Sequence, residues 1–255
     1  MVRRPDGGYT YRCYTAADFE IDAELTSVTA YPFEGADPEL SVVLLAGSVL
    51  SFILHMRGHA VLHASAVQVR DEAIACVGFS GMGKSTVATL LCAAGGALIT
   101  DDVLRVDFDE GKALARLGAT ELRLRKGAEA LSRRFTVPLA RRETVDARQV
   151  LSPPERATDR MPLRAILIPI PDREADEVRL HRLSGAMSVI ELLRFPRLLG
   201  WQDRRILAQL TENAAAVAGR VPVFRAQIPW GPPFADDLGS RVLNAVDAGT
   251  ALAHA

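Results

Sequence analysis

The feature that most constrains this chain is the run VGFSGMGKSTVATLL, residues 77–91. Gly78, four residues, then Gly83, Lys84 and Ser85 reproduce the spacing of a phosphate-binding loop. Such a loop requires a strand before it and a helix after it. Its glycines let successive backbone N–H groups turn inward around phosphate oxygens, at the positive end of the following helix. Gly78, Ser80, Gly81, Met82, Gly83, Lys84, Ser85 and Thr86 are then the residues that hold the phosphates. Lys84 reaches the terminal phosphates, and the Ser85 hydroxyl completes a Mg²⁺ shell. At background residue frequencies a chain of 255 residues has roughly a 1 % chance of one accidental match. Only Lys84, Lys112 and Lys126 are lysines, and one of the three stands where the loop needs a point charge.

The flanking sequence supplies the required elements. Residues 73–79 are an apolar strand, a helix runs from Lys84 to about Ala93 before Gly95-Gly96, and Ala97–Thr100 forms a strand that delivers Asp101 and Asp102. Strand, loop, helix, strand is a βαβ unit, whose ligands bind at the carboxyl ends of the strands. A carboxylate there is where a phosphate-loop enzyme keeps its Mg²⁺ ligand. Spacing alone does not say which of the two aspartates holds the metal. His63 sits in the strand-like VLHASAV, and a lone histidine among apolar residues is more often a satisfied core residue than a catalytic one.

Away from the loop, residues 9–32 alternate polar and apolar β-formers and read as a small meander. The run LSVVLLAGSVLSFILHM, residues 40–56, reads as a buried helix ended by Gly58. It is slightly short for a membrane span and carries Gly47 and three serines. Residues 60–69 read as one strand, and RVDF, ELRLR, RAILIPI and VPVFRAQI as others. Helices are expected in KGAEALSRRF, at 203–219 and at 236–246, with 141–160 as an exposed loop and PWGPPF as a plain connection more readily than a clamp, these two loops being where an acceptor pocket would form. The expected fold class is α/β: a mixed sheet flanked by helices around the phosphate loop, with residues 1–39 as a short β segment packed on a core of residues 40–255.

A net charge of -1, a pI near 6.5 and few aromatic residues argue against a nucleic-acid partner or an anionic membrane surface. Cys13, Cys76 and Cys92 are odd in number and far apart, which points to a reducing, cytoplasmic setting. No spacing for a structural or catalytic zinc is present.

LHASAV, GFSGMGKST and LITDD together resemble the catalytic domain of the HPr kinase/phosphorylase family and its short, HPr kinase-like serine kinase relatives. His63 lies about 20 residues before Lys84, and Asp101 lies 17 after it. GATELRLRKGAEAL and MPLRAILIPI look like further segments of the short relatives. The resemblance implies an HPr kinase/PEP carboxykinase-like fold, ATP and Mg²⁺ as cofactors, and phosphorylation of a serine hydroxyl on a peptide or small protein, by a chain that forms homo-oligomers. It implies that Asp101 is the general base, supported by His63, with Lys84 on the phosphates and Asp102 and Ser85 in the Mg²⁺ environment. Some short relatives modify a ribosomally made peptide, as lasso precursor kinases do. The long enzymes of the family carry an acidic Mg²⁺ ligand about 41 residues after the loop lysine. Here Arg125 stands at that place and Glu121 is the nearest carboxylate, which makes Glu121 the candidate third metal ligand. Arg123 and Arg125 share a strand face that suits phosphate or solvent equally. The loop also fits a kinase of a small-molecule hydroxyl, or a nucleotide-binding switch with slow hydrolysis.

Overall fold

The computed structural model describes residues 1–124, 129–135, 141–143, 149–197 and 203–251. Four short strands, β1 (Val2–Arg3), β2 (Tyr9–Cys13), β3 (Ala17–Ile21) and β4 (Val28–Pro32), form an antiparallel meander. Alternation along ADFEI buries Ala17, Phe19 and Ile21. These side chains close on the next helix, which runs as α1 (Pro38–Leu44), a π-helical turn over Leu45–Val49, and α2 (Leu50–Met56). Asp37 caps it by accepting the Glu39 N–H, with Pro38 in the first helical position. Val49 and Phe52 are fully buried, and the Tyr9 ring meets Phe52 edge-on at 5.1 Å. Pro38–Met56 is long and apolar enough to cross a membrane, and 33 % of it is buried. That buried part packs under the small sheet.

The chain then builds the main sheet: β5 (Ala60–Leu62), β6 (Ala64–Val69), β7 (Glu72–Val77), the loop helix α3 (Lys84–Ala93), β8 (Ala97–Thr100), β9 (Leu104–Asp109) and β10 (Lys112–Arg116). A small three-stranded sheet of β11 (Leu122–Leu124), β12 (Arg141–Glu143) and β13 (Gln149–Leu151) follows. After it come β14 (Arg160–Asp172), β15 (Arg179–Arg182), α4 (Gly185–Arg194), α5 (Arg204–Ala218), β16 (Val223–Pro229) and α6 (Leu238–Ala251). The strand order is β5-β9-β10-β14-β7-β6-β8, with β16 also on β14 and β15 on β16. β7 and β16 run parallel to β14 and the other pairs are antiparallel, so the sheet is mixed, as expected.

Both faces of the sheet are covered. Ala75 and Val77 of β7 and Ile166 and Ile168 of β14 pack toward Leu192 of α4 and Ala214 and Val217 of α5. The alternate residues, Ile74, Cys76, Ala165 and Leu167, pack toward Val87 and Leu91 of α3 and Val242 and Val246 of α6. A strand buried on both sides reads as an unbroken apolar run, which is why RAILIPI shows no alternation. Burial pushes the Cys76 and Cys92 thiols up to about 12, so both behave as small hydrophobes.

The topology explains how distant residues meet. β7 and β8 run the same way, and β6 lies between them, antiparallel to both. The amino end of β6 therefore sits beside the carboxyl ends of β7 and β8. His63 is at that amino end, the glycine-bearing loop 78–83 follows β7, and Asp101-Asp102 follow β8.

Several expectations need correction. Residues 60–69 are two strands: β5 pairs with β9, β6 with β7 and β8, and the break falls at His63. The segment 141–160 contains β12 and β13, whose Val150 and Leu151 are buried against β11. KGAEALSRRF shows a 3-10 helix over Glu129–Arg134, and residues 126–128 lie outside those described. α4, capped by Ser184 accepting the Met187 N–H, carries a helical signal that the sequence reading passed over. Phe52→Ala removes the ring that joins the small sheet to its helix. It is expected to cost about 3–5 kcal/mol in urea unfolding, and a loss under 1 kcal/mol contradicts that packing.

Candidate phosphotransfer site

The loop after β7 leads directly into α3, whose N-terminus carries no side-chain cap. Its first-turn N–H groups thus have the geometry that binds an anion. Gly83, at φ +89°, is the residue before the helix, and a Cβ there would stand 2.3 Å from Cη2 of Trp230. Glycine is required both by the left-handed backbone and by the indole edge lying against it. The Phe79 N–H points at Sδ of Met82 (3.1 Å), and the Gly78 N–H donates to the His63 carbonyl (3.3 Å), which ties the loop to the strand break. Lys84 is buried and donates from Nζ to the Phe79 carbonyl (3.1 Å). Burial pushes its ammonium down, and the Asp102 and Asp101 carboxylates pull it back.

The two aspartates have different surroundings. Asp101 is buried: Oδ1 accepts from the hydroxyls of Ser65 (2.5 Å) and Ser85 (2.9 Å), and Oδ2 from the Arg123 backbone N–H (3.0 Å). Burial pushes its carboxyl up against these three hydrogen bonds, and the neighbouring Asp102 charge adds to the push. Asp102 has φ +85°, a conformation that costs a non-glycine residue about 1–3 kcal/mol and clusters at functional sites. Its Oδ1 meets Nε2 of His63 at 2.9 Å and its Oδ2 meets Nη2 of Arg197 at 2.6 Å. Burial pushes the Asp102 carboxyl up, yet the His63 hydrogen bond and the Arg197 charge hold it well below the usual carboxylate range.

These groups open on one cavity of about 300 Å³. Its walls take Ser80, Gly81, Gly83, Lys84, Ser85 and Thr86 from the loop and helix, together with His63, Asp101 and Asp102. Arg123, Leu124, Arg173, Trp230, Gly231, Pro232 and Phe234 complete the lining. The cavity therefore combines an uncapped helix terminus, a buried lysine, a hydroxyl and two carboxylates.

The sequence-predicted residues fall as follows. His63, Lys84, Ser85, Asp101 and Asp102 meet on the cavity. Gly78 and Met82 shape the loop from behind, the Met82 sulfur lying 3.0 Å from where a Gly78 Cβ would stand. Glu121 is exposed, one residue before β11, and the lining takes Arg123 and Leu124 from that segment instead. Arg125 lies outside the described residues. The expected pairing is exchanged: His63 touches Asp102 rather than Asp101, while the loop Ser85 touches Asp101. PWGPPF is more than a connection, since it lines the cavity and is pinned by the Trp230 N–H on Asp172 and by Arg134 on the Phe234 and Ala235 carbonyls. Sequence reasoning missed Ser65, Arg173 and Arg197. Ser65 carried a signal, two residues beyond His63 and so on the same face of an extended chain. Arg197 carried none.

Among the described residues no three His, Cys, Asp or Glu side chains gather as a metal cage. Mg²⁺ seldom needs one, because it takes one or two protein oxygens and completes its shell with phosphates and water. Ser85 Oγ and the Asp101 carboxylate, already in contact, are a donor pair of that kind.

No family model matches the chain, and no curated protein matches it. Among solved structures, the HPr(Ser) kinase/phosphatase from Coxiella burnetii is similar with a TM-score of 0.40 at 10 % identity, covering 76 % of this chain and 99 % of that one. A likeness of that size carries no weight for the roles of individual residues.

Burial raises the Asp101 carboxyl in the folded state, so its ionised form opposes folding. That cost is absent below the unfolded carboxylate range near 4 and grows as pH rises through the folded value. Asp101→Asn is expected to raise the Tm of the ligand-free protein at pH 7–8, with the gain fading toward pH 4. The same Tm change at both pH values contradicts this reading.

Proposed function

We propose that this protein is an ATP- and Mg²⁺-dependent phosphotransferase that phosphorylates a hydroxyl group, the serine of a peptide or small protein being the acceptor that the sequence resemblance suggests. The observation that carries the proposal is the division of the aspartate pair around one cavity: Asp101 on the loop hydroxyl of Ser85, Asp102 on His63. In this reading residues 40–255 form the phosphotransferase unit and residues 1–39 pack on it.

Phosphoryl transfer gives a protein little covalent chemistry to do, so catalysis comes from positioning and charge. When bound, Mg·ATP supplies the phosphoryl group and the metal charge that neutralises it. Backbone N–H groups of Gly81, Gly83 and the first turn of α3 hold the phosphates, with Lys84 adding a desolvated positive charge among them. Ser85 and Asp101 hold the metal. Asp102 takes the proton of the acceptor hydroxyl, and His63 fixes the carboxylate's orientation from the adjacent strand end. These assignments exchange the aspartate roles that the family resemblance implied: Asp101 is buried against the Ser85 hydroxyl that would share the metal, and Asp102 is the more exposed of the two. A switch that only binds and slowly hydrolyses nucleotide has no use for a histidine-held carboxylate beside the loop.

The test is transfer of label from γ-labelled ATP, in the presence of Mg²⁺, to the peptide or small protein encoded beside this chain, followed by mass spectrometry. Asp102→Asn is expected to lower transfer by about 10²-fold or more, the span of a general base, while MgADP binding is kept. Wild-type transfer by that variant overturns the role of Asp102. Slow release of phosphate with no labelled acceptor favours the switch.

A further inference from the structure

Arg197 is tied into the site by three observations. Its Nη2 is 2.6 Å from Oδ2 of Asp102. Its Nε is buried and has no hydrogen-bond partner among the described residues. Its charge also opposes that of Lys84, whose ammonium the Asp102 charge supports. The guanidinium is held there by packing. Phe195, two residues earlier, is fully buried and meets the loop residue Phe79 edge-on at 4.9 Å. On the other side the π-helical turn brings Gly47 against the pair, where a Cβ would stand 3.2 Å from Nη2 of Arg197 and 3.3 Å from Oδ2 of Asp102. Turns of this type collect at functional sites, and this one lets the helix close over the ion pair.

The arrangement conflicts with the work assigned to Asp102. A general base needs an oxygen free to reach the acceptor hydroxyl, and both oxygens of Asp102 are engaged, Oδ1 by His63 and Oδ2 by Arg197. The incoming terminal phosphate is also a stronger ligand for arginine than one carboxylate oxygen, since it offers several charged oxygens to the planar fork. We infer that Arg197 is a ligand of the terminal phosphate, held by Asp102 until a nucleoside triphosphate takes it over. Transfer of the guanidinium leaves Asp102 with His63 alone and so couples arrival of the phosphoryl donor to release of the base. Water or an acceptor that enters before the nucleotide meets a carboxylate that is still engaged. This inference rests on the phosphotransferase reading of the site.

Affinities of MgATP and MgADP measured by titration calorimetry test it. Arg197→Met is expected to weaken MgATP by about tenfold or more, the scale of one hydrogen-bonded charge contact, and MgADP by less than about twofold. Asp102→Asn removes the competitor for the guanidinium and is expected to tighten MgATP by about threefold or more relative to MgADP, as a larger fraction of the protein is then ready to bind. Equal effects of Arg197→Met on both nucleotides, or none on either, overturn the inference, and so does Asp102→Asn without a gain for MgATP. The second variant decides the matter if Arg197→Met fails to fold. Wild-type protein that binds neither nucleotide overturns the phosphotransferase reading itself.

Discussion

A carboxylate removed from water must be surrounded by donors, and the enclosure of Asp101 is the constraint on which the rest of this site depends. Its three donors come from three elements: Ser65 from β6, Ser85 from α3 and the Arg123 N–H from β11. The carboxylate itself hangs from the end of β8. The main sheet, the loop helix and the small three-stranded sheet are therefore pinned to one another at a single group. The cost of burying that charge in the ligand-free protein is what one expects of a site prepared for a cation.

Enclosing Asp101 determines what Asp102 can do. With one side chain committed to the protein interior, the left-handed backbone at Asp102 turns the next one toward the cavity, where His63 and Arg197 meet it. Two adjacent acids thereby acquire opposite environments and opposite shifts, the pattern by which neighbouring carboxylates take separate roles. In the proposed function that separation divides a metal end from an acceptor end.

Much of this was legible in the sequence where a local pattern carried it. The loop, the bounds of α3 and the placement of β8 ahead of the aspartates all stood in residues 73–102, because glycine chemistry and apolar runs act over short range. α5 and its Asp203 cap were legible for the same reason. The partners of the two aspartates were not, since they depend on register. His63 was placed inside a strand, but the chain changes neighbours there, and the break aims its ring at Asp102. The lining contributed by Trp230 and Phe234 was legible only as the second reading of PWGPPF, because a Pro- and Gly-rich segment looks like a connection whatever it packs against. Arg197 reaches Asp102 across 95 positions of sequence, with no periodicity to announce it.

The central claim is that Asp101 serves the metal and Asp102 the acceptor. A crystal structure of the protein with Mg²⁺ and a non-hydrolysable ATP analogue tests it most directly. The account predicts Mg²⁺ about 2.1 Å from Ser85 Oγ, the bond length typical of this ion, with Asp101 in its first or water-mediated shell and Asp102 still on His63 and off the metal. A metal bound to Asp102, with Asp101 turned away from Ser85, contradicts it.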